Sequence, residues 1–452
     1  MEEVSVWRKN MGNALAGIVM GLFTLNFLGL NYILSTVGIL LMLTGFRALR
    51  HIGNAFRACY ICAVLKAVFH VFFMVLAATI YYESFQKSIA FKVVSCSGVI
   101  LTIVLLLCLR SGLRGAQESV GIEPHTGAIT CMALVNLLFL TQLQIQGLLI
   151  VALVIVGIVV IVKNAFALVS QLDEAGYAVE PAQVRIPDGK LCWGVMAVLF
   201  AGIACGYIFF HSYPMQWQMV GEDEHAGVLE IKARLVELGF PDYVLQDMTA
   251  EDILACEGAV KVTVMVEDNP IRDHGDEVRI TGVGVRLPGE REQWKLIHHF
   301  WWMGETKFYG TEALQLWPAD RSSTAWDSSG DFTGRVLYDD AGTTYAAPYH
   351  WIGDTTYLSN SIFWGSSQQT DVFAAFSMPR GGEGHRGYVS YCVREMSDGH
   401  LIDSWVNYVH QTSWFQYPVQ TAMSYRINGG MFSERPFRIV QDALQFRPEW
   451  IH

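Results

Sequence analysis

Apolar residues fill the first 210 positions in long runs, whereas from about position 258 onward they alternate with polar ones. The two patterns predict two kinds of structure. A bilayer core takes about 20 apolar residues per helix, with a range of roughly 17 to 25. Seven stretches read as such spans: 11–28, 32–46, 58–82, 88–109, 127–143, 147–162 and 191–210. Residues 11–46 are too many for one span and barely enough for two. Asn26, Gly29 and Asn31 supply a turn between them. A tight helical hairpin is one reading; a re-entrant loop is the other, and it would reverse the orientation of everything downstream.

Basic residues favour the hairpin, because Lys and Arg in short loops mark the cytoplasmic side. Arg8 and Lys9 precede the first stretch, Arg47, Arg50 and Arg57 follow the second, Arg110 and Arg114 follow the fourth, and Lys163, Arg185 and Lys190 lie between the sixth and seventh. The opposite loops hold only Lys87 and, at a span edge, Lys92. Seven spans with a cytoplasmic start place the C-terminal part outside the cell. Glu2 and Glu3, and a second apolar stretch following at once, argue against a cleaved signal peptide.

The helical period continues briefly past the last span. Residues 211–257 read as a connector and a helical lead-in. Val228, Leu229, Ile231, Leu235 and Val236 recur at helical spacing, Gly239 and Pro241 stop that helix, and Thr249 caps another that runs to about Cys256. From 258 to 452 the period is two. Val260, Val262, Val264 and Val266 alternate with Lys261, Thr263, Met265 and Glu267. Further strands are predicted at 278–287, 294–302, 308–316, 334–338, 371–378, 387–395, 402–410 and 437–442, separated by Gly, Pro, Asn and Asp. Many short strands with no helices between them predict an antiparallel β-sandwich or jelly roll. The expected class is therefore a seven-span α-helical membrane bundle followed by an extracellular α+β domain.

Charge sharpens this division. Residues 1–210 carry 13 Lys+Arg and 9 Asp+Glu, while residues 211–452 carry 18 and 33. A domain this acidic excludes nucleic acid as a partner, since phosphate contacts need clustered cations. The expected partners are the lipid bilayer, a glycan or other envelope ligand, and another membrane protein.

Candidate chemistry is sparse. Eleven of the thirteen Trp lie after residue 211, and Trp317, Trp326, Trp351, Trp364 and Trp414 fall in segments that read as loops. Exposed aromatic faces beside Asp, Asn and Gln suit sugar rings, which stack on the ring while polar groups take the hydroxyls. The competing reading makes these residues plugs at the ends of a sandwich. In the membrane half, Lys66 and His70 are four residues apart and share one helix face, with Asn136 as a polar partner. Ionisable groups in a membrane are costly and point to function. The alternative is that Lys66 snorkels toward Arg57, roughly 13 Å away by helix rise.

Other signals are negative. His298 and His299 are adjacent on a strand and face opposite sides, and no metal-ligand spacing, Walker loop or nucleophile elbow occurs. No cofactor is expected. Glu395, Asp398 and Asp403 sit around one hairpin, and paired carboxylates across a cleft would make this an enzyme on extracellular polysaccharide. An accessory or sensor role in a membrane transport system is the third class. Cys59 and Cys62 fit as small residues packed between helices, and Cys256 and Cys392 are the two thiols of the sheet region.

Overall fold

A computed structural model describes residues 5–22, 29–140, 148–221, 226–271, 276–361, 365–397, 400–429 and 435–448. The chain divides into two compact units, Met1–Ile208 and Phe209–His452.

The first unit is helical, with α1 Val6–Leu22, α2 Leu30–Leu49, α3 Asn54–Leu76, α4 Tyr81–Lys87, α5 Ile89–Ser119, α6 Gly127–Leu140, α7 Leu148–Glu174 and α8 Asp188–Phe210. Five helices are long and apolar enough to cross a membrane: Leu30–Leu49, Asn54–Leu76, Ile89–Ser119, Val154–Glu174 and Asp188–Phe210. The other two expected spans are also helical, but α1 has 17 described residues and α6 has 14. The outward surface of this unit is apolar, with Leu65, Val68, Val93, Val156, Val198 and Phe200 all exposed. Such a surface suits hydrocarbon rather than water.

Helices α1 and α2 run antiparallel. Gly17 meets Gly38 and Met42, while Ala14 and Asn10 meet Gly45. A side chain at Gly45 would put its first carbon 2.5 Å from the Asn10 carbonyl oxygen, so the backbones approach as only glycine permits. Of the expected turn residues, Gly29 takes φ 73 immediately before α2, Asn31 lies in the first turn of α2, and Asn26 falls outside the described residues. The Trp7 indole N–H donates to the Val169 carbonyl at 3.3 Å, tying α1 to α7. Cys59 and Cys62 are buried on α3, and the Cys59 thiol faces the Leu105 carbonyl of α5 at 3.6 Å.

The second unit contains β1 Gln218–Met219, α9 Ala226–Glu237, α10 Asp242–Asp247, α11 Ala250–Leu254, β2 Lys261–Ile271, β3 Asp276–Leu287, β4 Gln293–Trp302, β5 Glu312–Trp317, α12 Ala319–Ser322, β6 Trp326–Asp340, β7 Thr343–Pro348, β8 Trp351–Ser361, β9 Gly365–Phe376, β10 Glu383–Glu395, β11 Ile402–Gln411, α13 Ala422–Ile427 and β12 Phe437–Phe446. The strands form two sheets, ordered β1-β7-β6-β10-β4-β3-β2 and β12-β11-β5-β9-β8. Every strand pairing is antiparallel. One apolar core joins both sheets, with Leu296, Phe300, Trp302 and Val389 from the larger and Leu314, Val372, Phe376 and Tyr408 from the smaller. Strands β7 and β8 and helix α13 were not predicted. β7 reads Thr-Thr-Tyr-Ala-Ala-Pro, β8 is rich in Thr, Gly, Ser and Asn, and β8 is an edge strand, so hydrophobic alternation is weak where only one neighbour is needed.

Helices α9–α11 cover the outer face of the larger sheet. Val228, Leu235, Val244 and Ile253 pack on Val283, Val285, Ile297 and Tyr388. The predicted stop is observed, with Gly239 at φ 88 and the Phe240 N–H returning to the Leu235 carbonyl at 2.9 Å. The Thr249 hydroxyl accepts from the Asp252 N–H at 3.1 Å, as an N-cap should.

Asp252 then fastens this layer to the sheet. Its carboxylate receives the Lys295 ammonium at 2.9 Å, the Thr333 hydroxyl at 2.6 Å, the Ser390 hydroxyl at 3.0 Å and the Tyr388 phenol. Burial alone would raise its pKa, but the Lys295 charge and the bonds from Thr333, Tyr388 and Lys295 hold it down at about 2. Asp247 adds a second fastener, bonded to Arg386 and to His299, each at 2.8 Å. His298 turns the other way, to Ser404 at 2.7 Å, so the adjacent imidazoles do face opposite sides. Cys256 and Cys392 are free thiols.

Candidate functional site

Two places gather polar groups beyond what packing needs. The first is the outer face of the five-stranded sheet. Strand alternation sets its membership, since Val372, Leu314 and Val406 point into the core and their neighbours point away. Trp317 of β5 is the cross-strand partner of Trp405 of β11, and Gln315 partners Asn407 one pair further along that face. Trp351 of β8 opposes Ala375 of β9, and Tyr357 lies further along β8 on the same side.

Helix α13 lies against part of this face, its Ala422 packed with Ala313, Val409 and Phe437. Gln315 is the hub beneath it. Its amide N–H₂ donates to Asp371 and to the Tyr357 hydroxyl, and its carbonyl oxygen accepts from the Arg426 guanidinium and from Asn407. Burial lowers the Arg426 pKa, against the pull of Tyr357 and Asp371. Burial, then the Asp371 carboxylate that takes its hydrogen, raises Tyr357. Beside this network Trp317 and Trp405 are half-buried, and Gln369, Gln441 and Gln445 are exposed. Gln445 donates to Asp403 at 2.6 Å. The face thus presents an aromatic pair flanked by amides and a carboxylate.

The five Trp singled out in the sequence separate. Trp317 and Trp351 share this face, and both lie at strand ends rather than in loops. Trp351 is 48% exposed. Trp326 begins β6 and is buried in the core, its indole N–H bonded to the Leu401 carbonyl at 3.2 Å. Trp414 is 62% exposed in the segment after β11, with its ring centroid 5.7 Å from that of Phe415. Trp364 lies outside the described residues. Trp405 was missed because it falls inside a predicted strand, although alternation with Val406 and Tyr408 already placed it on the outward side.

The hairpin carboxylates are described only in part, and two other carboxylates meet. Asp398 falls outside the described residues. Asp442 of β12 is hydrogen-bonded to Glu267 of β2, and burial, then the Glu267 charge, raises its pKa to about 7. Direct contact is closer than the 5 to 10 Å separation of glycosidase carboxyl pairs. Among the described residues, no group of three or more His, Cys, Asp and Glu could hold a metal ion.

The second place is a cavity of about 390 Å³ inside the helical unit. Lys66 and His70 of α3 and Asn136 of α6 all line it, with Ser35 of α2 and Ser95 and Thr102 of α5. Lys66 and His70, neighbours on one helix, and Asn136, remote from them in sequence, thus line one volume. The Lys66 ammonium donates to the Thr102 hydroxyl at 2.6 Å rather than reaching back along α3 toward Arg57. His70 Nε2 lies 2.8 Å from the Thr36 hydroxyl. Asn136 donates one amide hydrogen to the Met132 carbonyl at 2.9 Å. The hydroxyl residues were missed because Ser and Thr in apolar helices bond their own backbone and leave no sequence signal.

No protein-family model and no curated protein matches the chain. Among solved structures, the KRT10-binding region domain of the pneumococcal serine rich repeat protein PsrP is similar over 33% of this chain and 84% of its own, with 8% identity and a TM-score of 0.20. A structure titled "Pore forming protein" covers 41% and 89% with 8% identity and a TM-score of 0.18. Clostridium perfringens delta-toxin covers 42% and 90% with 8% identity and a TM-score of 0.18. Likenesses this weak carry no functional argument.

Proposed function

We propose that this chain is a multi-pass membrane protein that holds its sheet unit outside the cell and binds a glycan or another envelope component on the outer face of the five-stranded sheet. The observation that carries the ligand reading is the Trp317–Trp405 cross-strand pair beside the exposed Gln441 and Gln445 and the Asp403 carboxylate. Such a pair offers a sugar ring an apolar surface, and the neighbouring amides and carboxylate accept or donate to its hydroxyls. Five apolar helices, the antiparallel α1–α2 pair and the alternation of basic loops support seven spans with a cytoplasmic N-terminus.

The test uses the full chain in lipid nanodiscs on an array of envelope polysaccharides and glycans. Binding should be retained by Trp414→Ala and weakened by Trp317→Ala and Trp405→Ala. A blank array, or binding indifferent to both face variants, sinks the reading. Orientation is checked by protease added to intact cells, which should cut within residues 212–452 and spare the loop at 173–190.

A further inference from the structure

We infer that the cavity of the helical unit binds an anionic amphiphile, a molecule with one carboxylate or phosphate head and an apolar body. The argument starts from the charge. Lys66 lies in the middle of α3, a helix of 23 residues, and no Asp or Glu lines the cavity among the described residues. An ammonium inside an apolar helical unit is unfavourable unless something supplies negative charge. The Thr102 hydroxyl supplies only a dipole.

Hydrogen-bond accounting extends this. Thr102 donates its own hydrogen to the Gly98 carbonyl at 2.9 Å, and Thr36 donates to the Tyr32 carbonyl at 2.7 Å. Each hydroxyl is therefore an acceptor toward the cavity residue it meets. Thr36 receives the Nε2 hydrogen of His70, and Thr102 receives one of the three hydrogens of Lys66. Two ammonium hydrogens remain for a ligand, and Ser35 and Ser95 also line the cavity. The set favours an acceptor-rich anion. It does not favour a zwitterion, because no carboxylate stands ready for an amine.

The rest of the wall decides between a bare anion and an amphiphile. Phe69, Phe73 and Phe91 line the cavity with Ile18, Ile39 and Val99. Small-molecule sites have this mix of apolar walls and a few placed polar groups, at volumes from about 300 Å³ upward. A free phosphate would leave the aromatic wall unfilled and would surrender its hydration for a single cation. An acyl chain fills that wall and carries its head to Lys66. Ser95 is exposed on the surface of the unit, so the cavity wall includes a residue reached from outside.

The full chain in nanodiscs of neutral phosphatidylcholine should bind tritiated palmitate saturably, near one per chain. Hexadecyl phosphate should displace it, while hexadecanol and inorganic phosphate should not. Lys66→Met should weaken palmitate binding at least tenfold, and Lys66→Arg should keep it within about threefold. A thermal unfolding curve for each variant in the same discs shows that loss of binding is not loss of fold. The inference is overturned by absence of saturable binding, by equal displacement with hexadecanol, by displacement with inorganic phosphate alone, or by unchanged binding in a folded Lys66→Met protein.

Discussion

Each unit holds a lysine among apolar neighbours, Lys295 buried and Lys66 half-buried, and the two are treated in opposite ways. Lys295 in the sheet unit is 3% exposed and sits 2.9 Å from Asp252, whose carboxylate also takes three hydroxyl groups. The ammonium has its counterion and the carboxylate its donors, so the cluster acts as a fastener between the helical layer and the sheet. Lys66 in the helical unit meets one threonine hydroxyl and no lining carboxylate. A charge that meets its counterion explains itself structurally, whereas one that lines a cavity without a counterion marks where a ligand belongs.

The sharpest way to break this comparison is to remove a partner from each. Asp252→Ala leaves Lys295 buried beside hydroxyls alone, and loss of one member of a buried pair costs about 3 to 5 kcal/mol. Lys66→Met removes a charge that already lacks its counterion, so the helical unit should be equally stable or more so. Chemical unfolding of both variants, followed by fluorescence, checks this. Comparable destabilisation by the two would erase the distinction.

Acid sharpens the same contrast within the sheet unit. Asp252 has its folded pKa depressed to about 2, below the unfolded value of about 3.9. Its contribution, roughly 2 to 3 kcal/mol, is complete above about pH 5 and is lost as pH falls through the folded value. Asp442 has the opposite sign. Its folded pKa is raised to about 7, so the folded state holds the extra proton and stability falls as pH rises from about 4 through 7. Unfolding free energy against pH should therefore lose its neutral-side decline in Asp442→Asn while the acid limb stays. An unchanged profile would mean that the Asp442–Glu267 contact does not govern this window.

Packing differs between the units as well. The helices α1 and α2 meet through Gly17, Gly38 and Gly45, while the sheets meet through Phe300, Trp302, Phe376 and Tyr408. Gly45→Val forces carbon against the α1 backbone and should destabilise the helical unit by about 1 to 3 kcal/mol. The smallest effect belongs to the aromatic face, where Trp405→Ala should weaken glycan binding by roughly 2- to 10-fold, in keeping with 0.5 to 1.5 kcal/mol for a ring contact.

Much of the architecture was legible in the residues. Valines at every second position announced β2, Gly239 and Pro241 announced the end of α9, and runs of apolar residues announced the long helices. Local backbone preference and burial periodicity act over a few residues, so a linear pattern carries them. The sequence also determined that Lys66 and His70 share a face, because four residues make about one helical turn. It offered Asn136 as a polar partner but could not name Thr36 and Thr102, since those lie on other helices and only packing chooses their neighbours. Nor could it separate Trp326, buried in the core, from Trp317 on the outer face. The two are chemically identical, and sheet pairing and the position of α13 decide which one meets solvent. Tertiary structure likewise made Asp252 a fastener, since five residues drawn from α11, β4, β6 and β10 converge only once helix and sheet have packed.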